Sequence, residues 1–157
     1  MRRQDKYPDT STFHFYNANP KNRITGDCTF RAICTALEMS WETVVMEMAA
    51  TSCRTGYAIN DPKGIAKYLE EKGWVKHTQP RESDNTKFTG QRFCNWLSIN
   101  YKAGEVGNVI ANIGGHHIVA INPTNSGDGF NCRYKIHDIW NCSEKCIGNY
   151  WTKDLAR

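Results

Sequence analysis

Gly26-Asp27-Cys28-Thr29-Phe30-Arg31-Ala32-Ile33-Cys34-Thr35-Ala36-Leu37 is the stretch on which the reading of this chain turns. Gly-Asp is a turn and helix-start signal. The apolar residues Phe30, Ile33, Ala36 and Leu37 then recur at helical spacing. The pattern predicts a helix from Cys28 to about Leu37, with Cys28 in its first turn. The first N–H groups of a helix have no intrahelical acceptor, and the helix dipole is positive there. A thiol in that position ionises more readily than a free one.

On the N-terminal side the chain is polar up to this stretch, with Pro8, Pro20 and many Asn, Ser and Thr. Residues 1–21 read as an extended arm with strand-like pieces at Phe13, Phe15 and Tyr16. On the C-terminal side Ser40 can cap a second helix, with Val44, Val45, Met48 and Ala49 as its core face. Asp61-Pro62 starts a third, carrying Ile65, Tyr68 and Leu69 to a stop at Gly73. Trp74-Val75 opens a short strand, and residues 79–87 are loop-like. Thr89 caps a fourth helix bearing Phe93, Trp96 and Leu97.

After Gly104 the texture changes. Strands are expected at Val109–Ile113, His117–Ile121, Arg133–Asp138 and Ile147–Trp151, with a turn-rich segment at 122–129. Helices first and strands second predict an α+β fold, its N-terminal helices packed on a C-terminal antiparallel sheet. The 157 residues suit a single domain spanning 1–157.

The chain is 39% hydrophobic and 23% charged, the balance of an ordinary globular protein. Its net charge is +4, but Lys and Arg gather nowhere beyond Arg2-Arg3, so nucleic-acid binding is not expected. No apolar run reaches membrane-spanning length. Met1-Arg2-Arg3-Gln4-Asp5-Lys6-Tyr7-Pro8 holds no apolar signal-peptide segment. The expectation is a cytoplasmic protein with reduced thiols, several of its seven cysteines serving as small core residues.

Thiol-based acyl transfer needs an ionised sulfur, an oriented imidazole and donors for an oxyanion. The chain offers a histidine in Gly114-Gly115-His116-His117-Ile118-Val119-Ala120-Ile121 and an acid in Ile136-His137-Asp138-Ile139-Trp140. The order is Cys, His, Asp: candidate nucleophile, base and orienting group. Each residue alone is more often structural, and it is the combination that carries the reading. His116 and His117 compete for the role of base, since side chains alternate along a strand and one of the two can face Cys28. Asp138 and Trp140, two apart, share a face, so Trp140 can roof a His–Asp bond. The backbone N–H of Cys28 and the upstream amide of Asn22 are candidate oxyanion donors. Asp27, beside Cys28, is a like charge that opposes ionisation of the thiol. Cys132, His137, Cys142 and Cys146 are zinc-ligand types at loose spacing, not two tight pairs, so no metal is expected. No other cofactor is implied.

These motifs resemble the papain-like cysteine peptidase superfamily. Cys28 matches that family's nucleophile at a helix start. His117-Ile118-Val119-Ala120 resembles the run at its catalytic histidine, which favours His117 over His116. Asp138-Ile139-Trp140 resembles its Asn-Ser-Trp, where the Trp shields the histidine's hydrogen bond. Asn22 stands where the family has its oxyanion Gln. Gly-Asp-Cys-x-x-Arg-Ala-Ile, Gly-His-His, Asp-Ile-Trp-Asn-Cys and Gly-Asn-Tyr-Trp further resemble small bacterial and phage proteins of that fold. The resemblance spans about residues 22–152. It implies a cysteine peptidase or related thiol amidohydrolase with catalytic Cys28, His117 and Asp138, oxyanion residue Asn22, cleft-wall residue Trp140, and a peptide or protein substrate. Two other functions fit the same motifs: an inactive papain-like scaffold acting as a binding protein, and a transglutaminase-like acyl transferase.

Overall fold

The computed structural model describes residues 1–101, 105–125 and 132–153. Its elements, in chain order, are α1 (Arg3–Lys6), β1 (Phe13–Phe15), α2 (Cys28–Leu37), α3 (Trp41–Thr55), α4 (Pro62–Glu71), β2 (Trp74–His77), α5 (Gly90–Asn100), β3 (Val109–Ile113), β4 (His117–Asn125), β5 (Cys132–Asp138) and β6 (Ile147–Lys153). Gly104 and positions 126–129 of the expected turn-rich segment lie outside the described residues; 122–125 continue β4.

Local chemistry accounts for the helix starts. The Ser40 hydroxyl accepts from Thr43 N at 3.1 Å, the Asp61 carboxylate from Lys63 N at 2.8 Å and the Thr89 hydroxyl from Arg92 N at 3.2 Å. Each cap satisfies a first-turn donor that the helix cannot satisfy itself. Gly73, with φ 84°, carries the chain out of α4 into β2, a left-handed turn that suits glycine. α3 runs further than its apolar face suggests, to a left-handed Gly56 with φ 80°.

The six strands form one sheet in the order β1-β5-β4-β3-β6-β2. It is not wholly antiparallel, and its helices do not all lie on one side. β1 runs parallel to β5, with Phe13 opposite Ile136 and Phe15 opposite Asp138. A parallel pair needs a long crossover, and the chain between these two strands, which holds α2–α5 and β2–β4, provides one. The inner strands explain the second layer. Val109, Ala111, Val119 and Ile121 pack with Phe93 and Leu97 of α5. Their alternates Ile110, Ile118 and Ala120 pack with Ile33 of α2, Val44 and Met48 of α3, and Ile65 and Leu69 of α4. A strand apolar on both faces requires cover on both. The segregated order expected from sequence is broken by β1, drawn from the arm, and by β2, set between helices.

The arm is therefore part of the core. Phe13 is fully buried among the α5-side residues. Phe13→Ala should lower unfolding stability by about 3–5 kcal/mol, read by urea denaturation. Ile99→Ser, at an exposed α5 position, should stay within about 0.5 kcal/mol of the parent. Equal, small effects would mean that the arm does not belong to the folded unit.

Candidate active site

Asp138 ends β5 and His117 begins β4. The two strands are antiparallel neighbours, with Ala120 opposite His137, so both residues lie at the same end of the sheet. α2 crosses β4, burying Ala32 and Ile33 against Ile118 and Ala120, and brings its first residue, Cys28, to that end.

There the side chains meet. His117 Nε2 lies 2.5 Å from Asp138 Oδ2. His117 is also hydrogen-bonded to Cys28, whose sulfur accepts the backbone N–H of Ile118. With Nε2 given to Asp138, the ring nitrogen left for Cys28 is Nδ1. The Trp140 ring lies over the imidazole, centroids 5.2 Å apart and planes at 41°. His116 is exposed. Asp138 is 1% exposed, so its charge is essentially cut off from water.

A buried carboxylate needs a partner beyond one imidazole. Asp138 Oδ1 accepts from Arg31 Nη1 at 2.6 Å and from Ile139 N at 2.7 Å. Arg31, one turn beyond Cys28 on α2, donates through Nε to Asp27 Oδ1 at 2.8 Å. Asp27 Oδ2 in turn accepts from Asn19 Nδ2 at 2.9 Å and Trp41 Nε1 at 3.1 Å. The result is a continuous chain, Asp27–Arg31–Asp138–His117–Cys28, buried from Asp27 to Asp138 and half-buried at His117 and Cys28. Asp27 does not act as a free like charge beside the thiol, because Arg31, Asn19 and Trp41 engage its carboxylate.

The charges set the protonation. Burial pushes the Cys28 thiol up, but the His117 hydrogen bond, the Ile118 N–H and the positive charges of His117 and Arg31 outweigh it, leaving its pKa lowered. Burial pushes His117 toward the neutral ring, yet bonds to Asp138, Cys142 and Cys28 carry it up to about 11. Asp138 is raised by burial and held down more strongly by His117 and Arg31. All three shifts favour thiolate, imidazolium and carboxylate together. In stability terms, the His117 contribution is complete below pH 6.5, its ordinary value, and is lost as pH rises toward about 11. The Asp138 contribution is present above 3.8, its ordinary value, and is lost as acid protonates the carboxylate.

Other residues singled out from sequence make contacts outside this chain of bonds. Asn22 stands exposed with φ 54°, its Oδ1 accepting from Asn17 Nδ2 at 3.2 Å. The loose zinc-type set does not converge. His137 lies against His14, ring centroids 5.1 Å apart, while Cys132 sits at the other end of β5 and Cys146 is exposed. Cys142 instead joins the His117–Asp138 cluster, with its sulfur 4.0 Å from Asp138 Oδ2. The potential metal-ligand atoms of His117, Asp138 and Cys142 lie within 4.8 Å of one another. His117 Nε2 and Asp138 Oδ2 are already engaged with each other, which leaves Cys142 as a buried thiol against that bond. All seven cysteines are described and none forms a disulfide.

Sequence reasoning passed over Arg31 and weighed Cys142 only as a loosely spaced zinc-type ligand. Arg31 had a signal: it stands four residues after Asp27 on a helix that starts at the candidate nucleophile, the spacing of an ion pair. Cys142 had none beyond its nearness to Asp138 in the chain.

Comparison of the chain with protein-family models, with curated proteins and with solved structures gives no match in any of the three. Among the described residues no helix is long and apolar enough to cross a membrane.

Arg31→Met removes the cation shared by two buried carboxylates. At neutral pH it should cost about 3–5 kcal/mol of unfolding free energy. The deficit should narrow in acid, since a protonated carboxyl no longer needs the cation. A loss under about 1 kcal/mol at pH 7, or one that does not change with pH, would contradict the relay.

Proposed function

We propose that this chain is a cysteine peptidase or related thiol amidohydrolase of papain-like architecture, with Cys28 as nucleophile, His117 as general acid and base, and Asp138 as the residue that orients it. The observation that carries the reading is one imidazole bonded through Nε2 to a buried carboxylate and interacting with a thiol at a helix start. A nucleophile, a base within hydrogen-bond reach and a third group fixing the base define this chemistry. The resemblance to papain-like peptidases read from the motifs agrees with it.

The Cys28 thiolate attacks the carbonyl carbon of an amide. The oxyanion that forms takes hydrogen bonds from the Cys28 backbone N–H, free of any intrahelical acceptor, and from Asn22. Asn17 holds Asn22 through its carbonyl oxygen, which leaves the Nδ2 donors unspent on that contact. The C–N bond breaks as His117 passes its proton to the departing amine, leaving a thioester on Cys28. Water then attacks that thioester as His117 takes its proton, and the acid product leaves with the thiolate restored. Trp140 covers the imidazole, keeping water from competing for its bond to Asp138.

The test is reactivity first and turnover second. Iodoacetamide should alkylate Cys28 ahead of the exposed Cys53 and Cys146, and the preference should persist at a pH too low for a free cysteine. Lowering the pH through the depressed Cys28 value should abolish it. His117→Ala should remove the preference, whereas His116→Ala should leave it within about twofold. On an amide substrate, Asp138→Ala should cut kcat by about 10²–10⁴. Cys53 or Cys146 reacting faster in the folded protein, or a His116-dependent preference, would overturn the assignment.

A further inference from the structure

We propose that the cavity beside Cys28 receives an acidic side chain, so that the enzyme acts on amide bonds adjoining aspartate or glutamate. This rests on the thiol-amidohydrolase reading and adds to it the residue recognised.

The cavity, of about 300 Å³, is bounded by the starts of α2 and α4, the β3–β4 hairpin and β6. Two of its lining residues adjoin the nucleophile. Thr29 follows Cys28 in the chain, and Ile118 gives its backbone N–H to the Cys28 sulfur. A substrate with its carbonyl carbon at Cys28 therefore places a neighbouring side chain in this space. The floor is apolar and buried, formed by Ile65, Ile118 and Trp151. The walls carry three carboxamides, Asn60, Asn112 and Asn149.

Lys76 is the lining residue with a permanent charge, and among the described residues no Asp or Glu lines the cavity. Lys76 Nζ stands 5.8 Å from the Trp151 ring centroid and enters no ion pair among the described residues. The nearest acid in sequence to the lining, Asp61, turns its carboxylate to Lys63 N at 2.8 Å, capping α4. An incoming carboxylate meets a cation, amide donors and no competing acid. An incoming ammonium or guanidinium meets like charge and no anion. The cavity thus attracts one class of side chain and repels the other.

The test uses bromoacetyl derivatives of glutamate, alanine and lysine amides on the full chain, with Cys28 labelling followed by mass spectrometry. Each rate is divided by that of the same reagent with free cysteine. The glutamate reagent should label Cys28 about tenfold faster than the lysine reagent, with alanine between. Lys76→Glu should invert that order and Lys76→Gln should flatten it. Cys28 that reacts faster than Cys53 and Cys146 but treats the three reagents alike would overturn the acidic pocket and leave the triad standing. An order unmoved by Lys76→Glu would do the same. Cys28 no more reactive than Cys53 or Cys146 toward every reagent would overturn the triad and the pocket with it.

Discussion

A buried carboxylate shared between an arginine and a histidine holds this structure's two halves in register. Asp138 belongs to the sheet, Arg31 to α2, and the bond between them crosses the interface on which the site is built. A charge so far from water is tolerated only with complete partners. Asp138 has them in Arg31, His117 and the Ile139 N–H. Rotating α2 on the sheet would strand both Arg31 and Asp138. The network therefore selects the one seating of α2 that puts its first residue, Cys28, at the imidazole.

The same network divides the electrostatic work. Asp138 favours the imidazolium, and the imidazolium favours the thiolate. Arg31 takes part of the carboxylate's field and holds Asp138 ionised. Asp27, next to Cys28, anchors the far side of Arg31 instead of opposing the thiol directly. Helix start, cation and imidazole all push the sulfur the same way, and burial alone resists. In the proposed reaction, an ion pair assembled before substrate arrives needs no further proton transfer to generate its nucleophile.

Much of this was legible in the chain because it is local. Ser40, Asp61 and Thr89 announce helices through caps that act within three residues. The His117 and Asp138 strands announce themselves by alternation and by their flanking turns. The sheet's mixed character was not legible. Phe13 pairs with Ile136 across most of the chain, and a three-residue strand carries no pattern that names its partner. The two-sided cover had a quiet signal in the unbroken apolar runs Val109-Ile110-Ala111 and Ile118-Val119-Ala120-Ile121. Arg31 was hidden for the same reason as β1: its decisive partner lies 107 residues away. For Asn22 no local rule links an exposed carboxamide to the thiol.

The central claim is that His117 is an imidazolium sustained by Asp138 on one side and a Cys28 thiolate on the other. The direct measurement is an NMR titration of the His117 ring nitrogens in the full chain, set beside Cys28→Ser. The account predicts that both nitrogens carry protons at pH 7 and lose one only far to the alkaline side, with the transition moving to lower pH in Cys28→Ser. A His117 ring with a single proton at pH 7, titrating alike with and without the Cys28 thiol, would contradict it.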